Sequence, residues 1–259
     1  MMNAPCAVWV TAIQTVSFKW LMRALLQSAF VLHRRPYRDS SLLLEVLTRE
    51  HGRLGLVARG AGSSRSRLKG LLQAFTPLLL SWTGDGDLVT LSGGEEIGLP
   101  IPLLHNRALA GLYVNELLVR LLPRCDPQPG LFAAYEVLLT DLAAADDAEP
   151  PLRRFEKRLL EELGYGLSLD READSGAPIV AETHYRYVLD RGPLTVNATQ
   201  TGVPISGRGL LALQDGVLND PDILKEVKRL TRAALAEQLQ GRALKTRQLY
   251  RTKRKASLA

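Results

Sequence analysis

Apolar positions in the first third of the chain come in short alternating runs; further on they recur at helical spacing. Residues 28–35 read as a strand that runs into Pro36, and residues 40–49 hold a second apolar run. Glu50-His-Gly52 is a turn, and residues 53–59 alternate polar and apolar as in a half-buried strand. Residues 75–82 and 88–91 supply two more strands, joined by the turn Gly84-Asp-Gly-Asp87. Five short strands with one long loop between the third and fourth predict a small five-stranded β-barrel of the OB type. Strand count alone leaves a sandwich or an SH3-like barrel open.

From Leu103 the period changes. Leu104, Ala108, Leu112, Leu118 and Leu122 fall on one broad helical face, ended by Pro123. A second helix starts near Pro129 with Leu131, Tyr135, Leu138 and Leu142. A third carries Leu152, Phe155, Leu159, Leu160 and Leu163, with Gly164 as its C-terminal cap. Residues 164–204 are loop-rich with weak strands at 185–189 and 194–196. Asn219-Asp-Pro-Asp222 is a strong helix start, because Pro suits the first turn and acids suit the positive end of the dipole. Leu224, Val227, Leu230, Leu235 and Leu239 form the apolar face of that helix, and Gly241 stops it. The expected class is α+β. An extension at 1–27 precedes an OB-type barrel at 28–100. A mainly helical domain follows at 101–241, with a loop/strand insert at about 165–204, and a basic tail closes the chain at 242–259.

Charge adds a direction to this outline. The chain of 259 residues carries a formal +6, but unevenly: +2 over 1–29, +6 over 30–77, −11 over 78–224 and +9 over 225–259. Between 34 and 69 nine bases face only Asp39, Glu45 and Glu50. Strands of one sign with a basic Gly/Ser loop between them, Gly60 to Gly70, suit a polyanion better than a small substrate. Arg34, Arg35, Arg38, Arg53, Arg59, Arg65, Arg67 and Lys69 are the candidate phosphate contacts, since guanidinium groups bind phosphate bidentately and stack on bases. Tyr37, set between cations, could stack on a base or simply pack in a turn, whereas Trp82 reads as core.

Catalytic signals are thin. The glycine loop lacks the order of a P-loop, and neither a nucleophile elbow nor a His-Glu-x-x-His motif occurs. His33, His51, His105 and His184 are scattered, and adjacent Glu161-Glu162 on a helix cannot share a face. Cys6 and Cys125 are far apart, with no Cys-x-x-Cys. These features argue against an enzyme, a metal site, a cofactor or a disulfide framework. No run approaches the roughly 18 apolar residues of a membrane span, and no basic residue precedes the apolar start. A cytoplasmic, nucleoid-associated protein is expected.

Several segments, in order, resemble the RecO recombination mediators of bacteria. They are Phe30-Val-Leu-His-Arg-Arg-Pro-Tyr-Arg-Asp-Ser-Ser-Leu-Leu-Leu-Glu-Val, His51-Gly-Arg-Leu-Gly-Leu-Val-Ala-Arg-Gly-Ala and Leu68-Lys-Gly-Leu-Leu-Gln-Ala-Phe-Thr-Pro-Leu. Gly111-Leu-Tyr-Val-Asn-Glu-Leu117, Leu152-Arg-Arg-Phe-Glu156, Leu163-Gly-Tyr-Gly166 and Leu244-Lys-Thr-Arg-Gln-Leu-Tyr250 continue the likeness, which covers about 22 to 250. The resemblance implies an N-terminal OB fold and a helical C-terminal domain. It implies binding of single- and double-stranded DNA, strand annealing, and cooperation with RecR to load RecA on DNA covered by single-strand-binding protein (SSB). It also implies docking of the acidic SSB C-terminal tail on the helical domain, with Arg153 and then Arg154 as the carried-over contacts. Many members hold a four-cysteine zinc site after the Leu-Gly-Tyr-Gly segment; here residues 168–182 contain no cysteine, so a zinc-free module held by packing is expected. The competing reading from the residues alone is an RNA-binding OB accessory protein, because charge does not distinguish the two polyanions. A nuclease using the acidic middle is a third class, which magnesium- or manganese-dependent cleavage would reveal.

Overall fold

A computed structural model describes residues 22–63, 65–84, 88–195 and 201–246. Residues 1–21 of the expected extension, positions 85–87 of the second hairpin turn, Val196 and the tail from 247 onward lie outside the described residues.

The front of the chain forms a closed five-stranded barrel. Its strands are β1 (Met22–Tyr37), β2 (Ser41–Thr48), β3 (Gly52–Ala58), β4 (Leu78–Gly84) and β5 (Leu88–Glu96), in the order β1-β2-β3-β5-β4. All pairings are antiparallel except β3 with β5, the arrangement that closes an OB barrel. Closure depends on β1, which pairs with β2 over one half and β4 over the other. Register shifts between Ala24 and Gln27 and between Val31 and His33 bend the strand between its two partners. Leu42, Leu44 and Val46 alternate inward with Leu54, Leu56, Leu78, Leu80 and Trp82, so the period of two in the sequence is the period of the core. The first strand begins at Met22, not Ser28. Its start is set by pairing with β4, Met22 opposite Gly84, so residues 22–27 of the expected extension belong to the barrel.

The basic loop after β3 is not a plain loop. It contains a five-residue helix, α1 (Arg67–Leu71), whose Leu68 and Leu71 pack on the barrel core beside fully buried Leu72.

The helical domain has α2 (His105–Leu121), α3 (Pro129–Ala144) and α4 (Glu149–Glu162). A three-stranded sheet, order β7-β6-β8, follows, built from β6 (His184–Val188), β7 (Gly192–Thr195) and β8 (Val203–Ser206). Two further helices complete it, α5 (Gly207–Asp215) and α6 (Pro221–Gln238). Three of the expected helical faces pack inward as read, with Leu163 and Leu224 half-buried at their ends and the rest buried. On α2 the buried face is Ala110, Tyr113, Val114, Leu117 and Leu118, while Leu112 is exposed and Leu104 precedes the helix. The sequence reading missed β8 and α5. Ser206 accepts from the Gly209 amide as N-cap, and Gly216 closes α5 in the left-handed region at φ 73°. The insert and the last two helices share a core of Leu169, Ile179, Tyr185, Tyr187, Ile205, Leu210, Leu213, Val227 and Leu230. Burial pushes the Tyr187 phenol up to about 12.

Barrel and helices meet over a continuous apolar seam. Phe30, Leu32 and Leu47 point out of the barrel into the core of α2, α3 and α4, with Phe30 edge-on to Tyr135 at 5.2 Å. Asn115 donates to the Leu32 carbonyl at 3.1 Å and accepts from the Tyr135 hydroxyl at 2.6 Å. Gly52, at φ 66°, turns the β2–β3 hairpin so close to the α2–α3 loop that a Cβ there would lie 2.1 Å from the Asp126 carbonyl oxygen.

Candidate nucleic-acid interface

Strand register divides the outer barrel surface into two halves. Toward the helices lie Phe30, Leu32 and Leu47, which are covered. Toward the β1–β2 turn the partners run Arg35 opposite Leu43, Leu43 opposite Val57, Val57 opposite Thr90, and Thr90 opposite Thr83. Directly paired residues share a face, so these form one row across the barrel. Leu43, Val57 and Thr90 are half-buried and Arg35 is exposed. Tyr37 lies two residues along from Arg35 on the same face, opposite Ser41. Arg38, at φ 53°, makes the turn and places its guanidinium 5.2 Å from the Tyr37 ring centre.

Arg59 leaves β3 at the same end, immediately after Ala58, which pairs with Leu42. The following loop returns to the β1–β2 turn, where the Gly62 amide donates to the Ser40 carbonyl at 2.8 Å. Arg65, Arg67 and Lys69 are exposed there. Because α1 plugs the barrel mouth, Arg67 and Lys69 are held on a packed helix rather than a free loop. Arg34 shares the inward face with Leu44 at that mouth and donates to the Lys69 and Leu72 carbonyls, both at 3.3 Å. It therefore fixes the plug while its charge stays at the exposed rim. The two-strand face and the first loop of such a barrel are where oligonucleotides bind OB folds.

Arg53 does not join this group. Only 12% exposed, it bonds Glu45 at 2.6 Å and the Leu122 carbonyl at 3.0 Å. Glu45 also accepts from Arg124. Arg53 therefore ties β3 to the end of α2, and this corrects its expected role at phosphate. Arg49 behaves likewise, pairing with Glu136 at 3.0 Å and lying over the Phe132 ring.

Arg153 requires a second correction. Its side chain is fully buried, 2.9 Å from Glu156, 3.7 Å from Glu149 and 3.4 Å from the Thr231 hydroxyl. Glu156 also accepts from the Tyr113 hydroxyl at 2.8 Å, and Glu149 is 2.6 Å from Lys228. Burial works to raise the Glu149 carboxyl, yet Arg153 and Lys228 hold it below the usual range. This cluster joins α4 to α6 and cannot meet a ligand at the surface. Arg154, the next residue, is exposed and pairs with Asp141 at 3.0 Å. Its stem lies against Gly216, where a Cβ would touch it at 3.3 Å, and the residue after Gly216 is exposed Val217. Exposed Val137 is one helical turn before Asp141.

Two features escaped sequence reasoning. One is the cationic side of α6, Lys225, Arg229 and Arg232 at i, i+4 and i+7, a spacing that could have been counted. The other is Glu116 on α2, which accepts from the Lys245 amide at 2.9 Å, the Thr246 amide at 2.9 Å and the Thr246 hydroxyl at 2.8 Å. Among the described residues no group of His, Cys, Asp and Glu could hold a metal, and no helix is long and apolar enough to cross a membrane.

Known proteins match this arrangement along nearly its whole length. The family model "Recombination protein O N terminal" matches residues 22–99, and "Recombination protein O C terminal" matches residues 105–248. Proteins named DNA repair protein RecO are similar throughout. That of Methylococcus capsulatus is 47% identical over 89% of this chain and 94% of its own length. That of Nitrosococcus oceani is 50% identical over 88% and 93%, and that of Aliivibrio fischeri 44% over 87% and 94%.

Proposed function

This chain belongs to the RecO family of DNA repair proteins, and from that premise we propose that it is a non-enzymatic mediator that binds and anneals single-stranded DNA. The observation that carries the reading is the open half of the barrel. Arg35, Arg38, Arg59, Arg65, Arg67 and Lys69 surround a half-apolar strand row with Tyr37 at its edge. Cations neutralise the backbone, and the row with Tyr37 offers a sequence-tolerant surface for bases. Neutralising phosphates on one bound strand lowers its repulsion for a complement, which is what annealing requires.

In this reading the protein works with RecR to help RecA load on DNA coated with SSB, in the cytoplasm at the nucleoid. The acidic SSB tail docks at Arg154, not at enclosed Arg153, because Arg154 is exposed and reaches Asp141, one turn from exposed Val137, and its stem lies against Gly216, which precedes exposed Val217. A cation beside exposed apolar surface suits a chain end that combines carboxylates with a hydrophobic side chain.

Annealing of complementary strands precoated with SSB tests the proposal. The wild-type chain should accelerate annealing. Arg154→Glu should abolish the gain with full-length SSB while leaving annealing of bare strands intact. No acceleration on either substrate would refute the annealing role. Tighter binding to matched single-stranded RNA than to DNA would favour the RNA-binding reading instead.

A further inference from the structure

The helix that plugs the barrel mouth is too short to stand alone. At five residues, α1 is well under the length at which a helix holds itself together in water, so it keeps its shape through what grips it. The loop leading into it is tied to the β1–β2 turn. There the Gly62 amide bonds the Ser40 carbonyl, and a Cβ on Gly62 would lie 3.0 Å from that carbonyl. Leu68, Leu71 and Leu72 seat its apolar side, and Leu71 comes so close to β5 that a Cβ on Gly94 would meet its Cδ2 at 3.2 Å.

Its end poses a separate problem, because the last carbonyls of a helix have no partner within it. The Leu68 carbonyl takes the Leu72 amide, and the Leu71 carbonyl takes the Gln73 amide. The Lys69 and Leu72 carbonyls are taken by side chains. Arg34 Nη1 donates to both at 3.3 Å, and Gln73 Nε2 adds a bond to Lys69 at 2.7 Å. Strand geometry selects Arg34 over its neighbour, since successive side chains point to opposite faces. Arg35 lies on the open row opposite Leu43, whereas Arg34 is opposite fully buried Leu44 and so reaches the mouth. A carbonyl held in place fixes the Cα next to it. The residue so fixed is Lys69 itself, with Arg67 two positions earlier on the same helix, and both side chains are exposed at the rim.

We infer that Arg34 is a positioning residue for nucleic-acid binding: it does not contact phosphate but holds α1 so that Arg67 and Lys69 meet the strand bound on the row. Gln73 shares this role without carrying charge. The inference rests on the DNA-binding reading above. Position matters because a cation that must first be ordered loses part of its contact energy to that ordering.

Affinity for an unstructured oligothymidine, measured on the full chain in a double-mutant cycle, tests this. Such a cycle separates a residue that acts through another from one that acts beside it. Arg67→Gln/Lys69→Gln should weaken binding and reduce the log–log salt slope by about 1.4, two contacts of about 0.7 each on a single strand. Arg34→Gln should weaken binding by about three- to tenfold in the wild-type background, and by less than about twofold in the Arg67→Gln/Lys69→Gln background. Gln73→Ala, which removes no charge, should show the same dependence on background. In both variants amide hydrogen exchange should quicken over residues 68–73 while the thermal midpoint stays close to wild type, a pattern that a general folding defect would not produce. Equal losses for Arg34→Gln in the two backgrounds, with a slope reduction of about 0.7 each time, would make Arg34 a phosphate contact and overturn the inference. Wild-type affinity in both Arg34→Gln and Gln73→Ala would also overturn it. So would an Arg67→Gln/Lys69→Gln protein that binds like wild type while Arg35→Gln/Arg38→Gln/Arg59→Gln loses slope, an outcome that leaves DNA binding by the barrel intact. An absence of DNA binding by the wild-type chain at low salt overturns the underlying reading instead.

Discussion

The two ends of the barrel use arginine for different purposes. At the end facing the helices, Arg53 and Arg124 converge on Glu45, and Arg49 reaches Glu136. Each guanidinium there has a carboxylate, and Arg53 also satisfies the last turn of α2 through Leu122. At the far end Arg35, Arg38, Arg59, Arg65, Arg67 and Lys69 are exposed around a half-apolar row. Side chains of one type, a few residues apart in sequence, thus form a joint at one end and a charged rim at the other. What separates them is the neighbour brought by the fold: a carboxylate and an orphan helix carbonyl in one case, solvent in the other. Arg153 extends the contrast, because enclosure with Glu156 and Glu149 makes it an internal strut whereas Arg154 beside it stays at the surface.

The comparison can be broken most severely at the strut. Arg153→Ala leaves Glu156 buried without its cationic partner, with only the Tyr113 hydroxyl, and should destabilise the chain by about 3–5 kcal/mol, measured by urea unfolding. Loss below about 1 kcal/mol would mean that the cluster is wet and its charges screened. At the joint, Arg53→Gln should cost about 1.5–3 kcal/mol through its charged hydrogen bonds. It should leave the salt slope of DNA binding unchanged, and a reduced slope would return Arg53 to the binding surface.

The rim should behave in the opposite way. Arg35→Gln, Arg38→Gln and Arg59→Gln together should each stay within about 0.5 kcal/mol of wild-type stability. Their combined effect on the slope for single-stranded DNA should be a reduction of about 2. The smallest effect is in pH. Glu116 in the folded chain titrates below its ordinary value of 4.5. Its contribution is therefore complete above that value and is lost as pH falls through the folded value. The stability difference between wild type and Glu116→Gln should accordingly shrink on acidification below about pH 4.5, followed by thermal unfolding. A difference that grows with acid would contradict the assigned hydrogen bonds.

Much of this organisation was legible from the residues. The period of two in Leu42, Leu44 and Val46 is the barrel wall, and the Asn219-Asp-Pro-Asp222 signal is the start of α6, capped by Asp220. The exposed rim was also legible, because its cations lie on strand ends and a glycine-rich loop. Three things were not. The start of β1 depends on Gly84 and its neighbours across the sheet, and no local pattern marks it. The α1 plug is too short for a period to show, and its stability comes from Leu68 and Leu71 on the barrel core. The burial of Arg153, expected as a partner contact, was not legible either, because Glu156 three residues on is an ordinary helical ion-pair spacing; only α6 laid across it makes it interior.

By itself the sequence determined the alternation that makes a barrel, the helical faces that make its companion domain, and a cationic block able to meet a polyanion. Local spacing suffices for these, since side-chain direction follows backbone period and charge is additive. Tertiary structure alone decided which arginines remain available. That choice depends on whether a carboxylate or carbonyl far along the chain, such as Glu136 for Arg49 or Leu122 for Arg53, arrives within hydrogen-bonding distance. It also decided the role of Glu116, because Glu116 and Thr246 meet only when the chain after α6 has returned to α2.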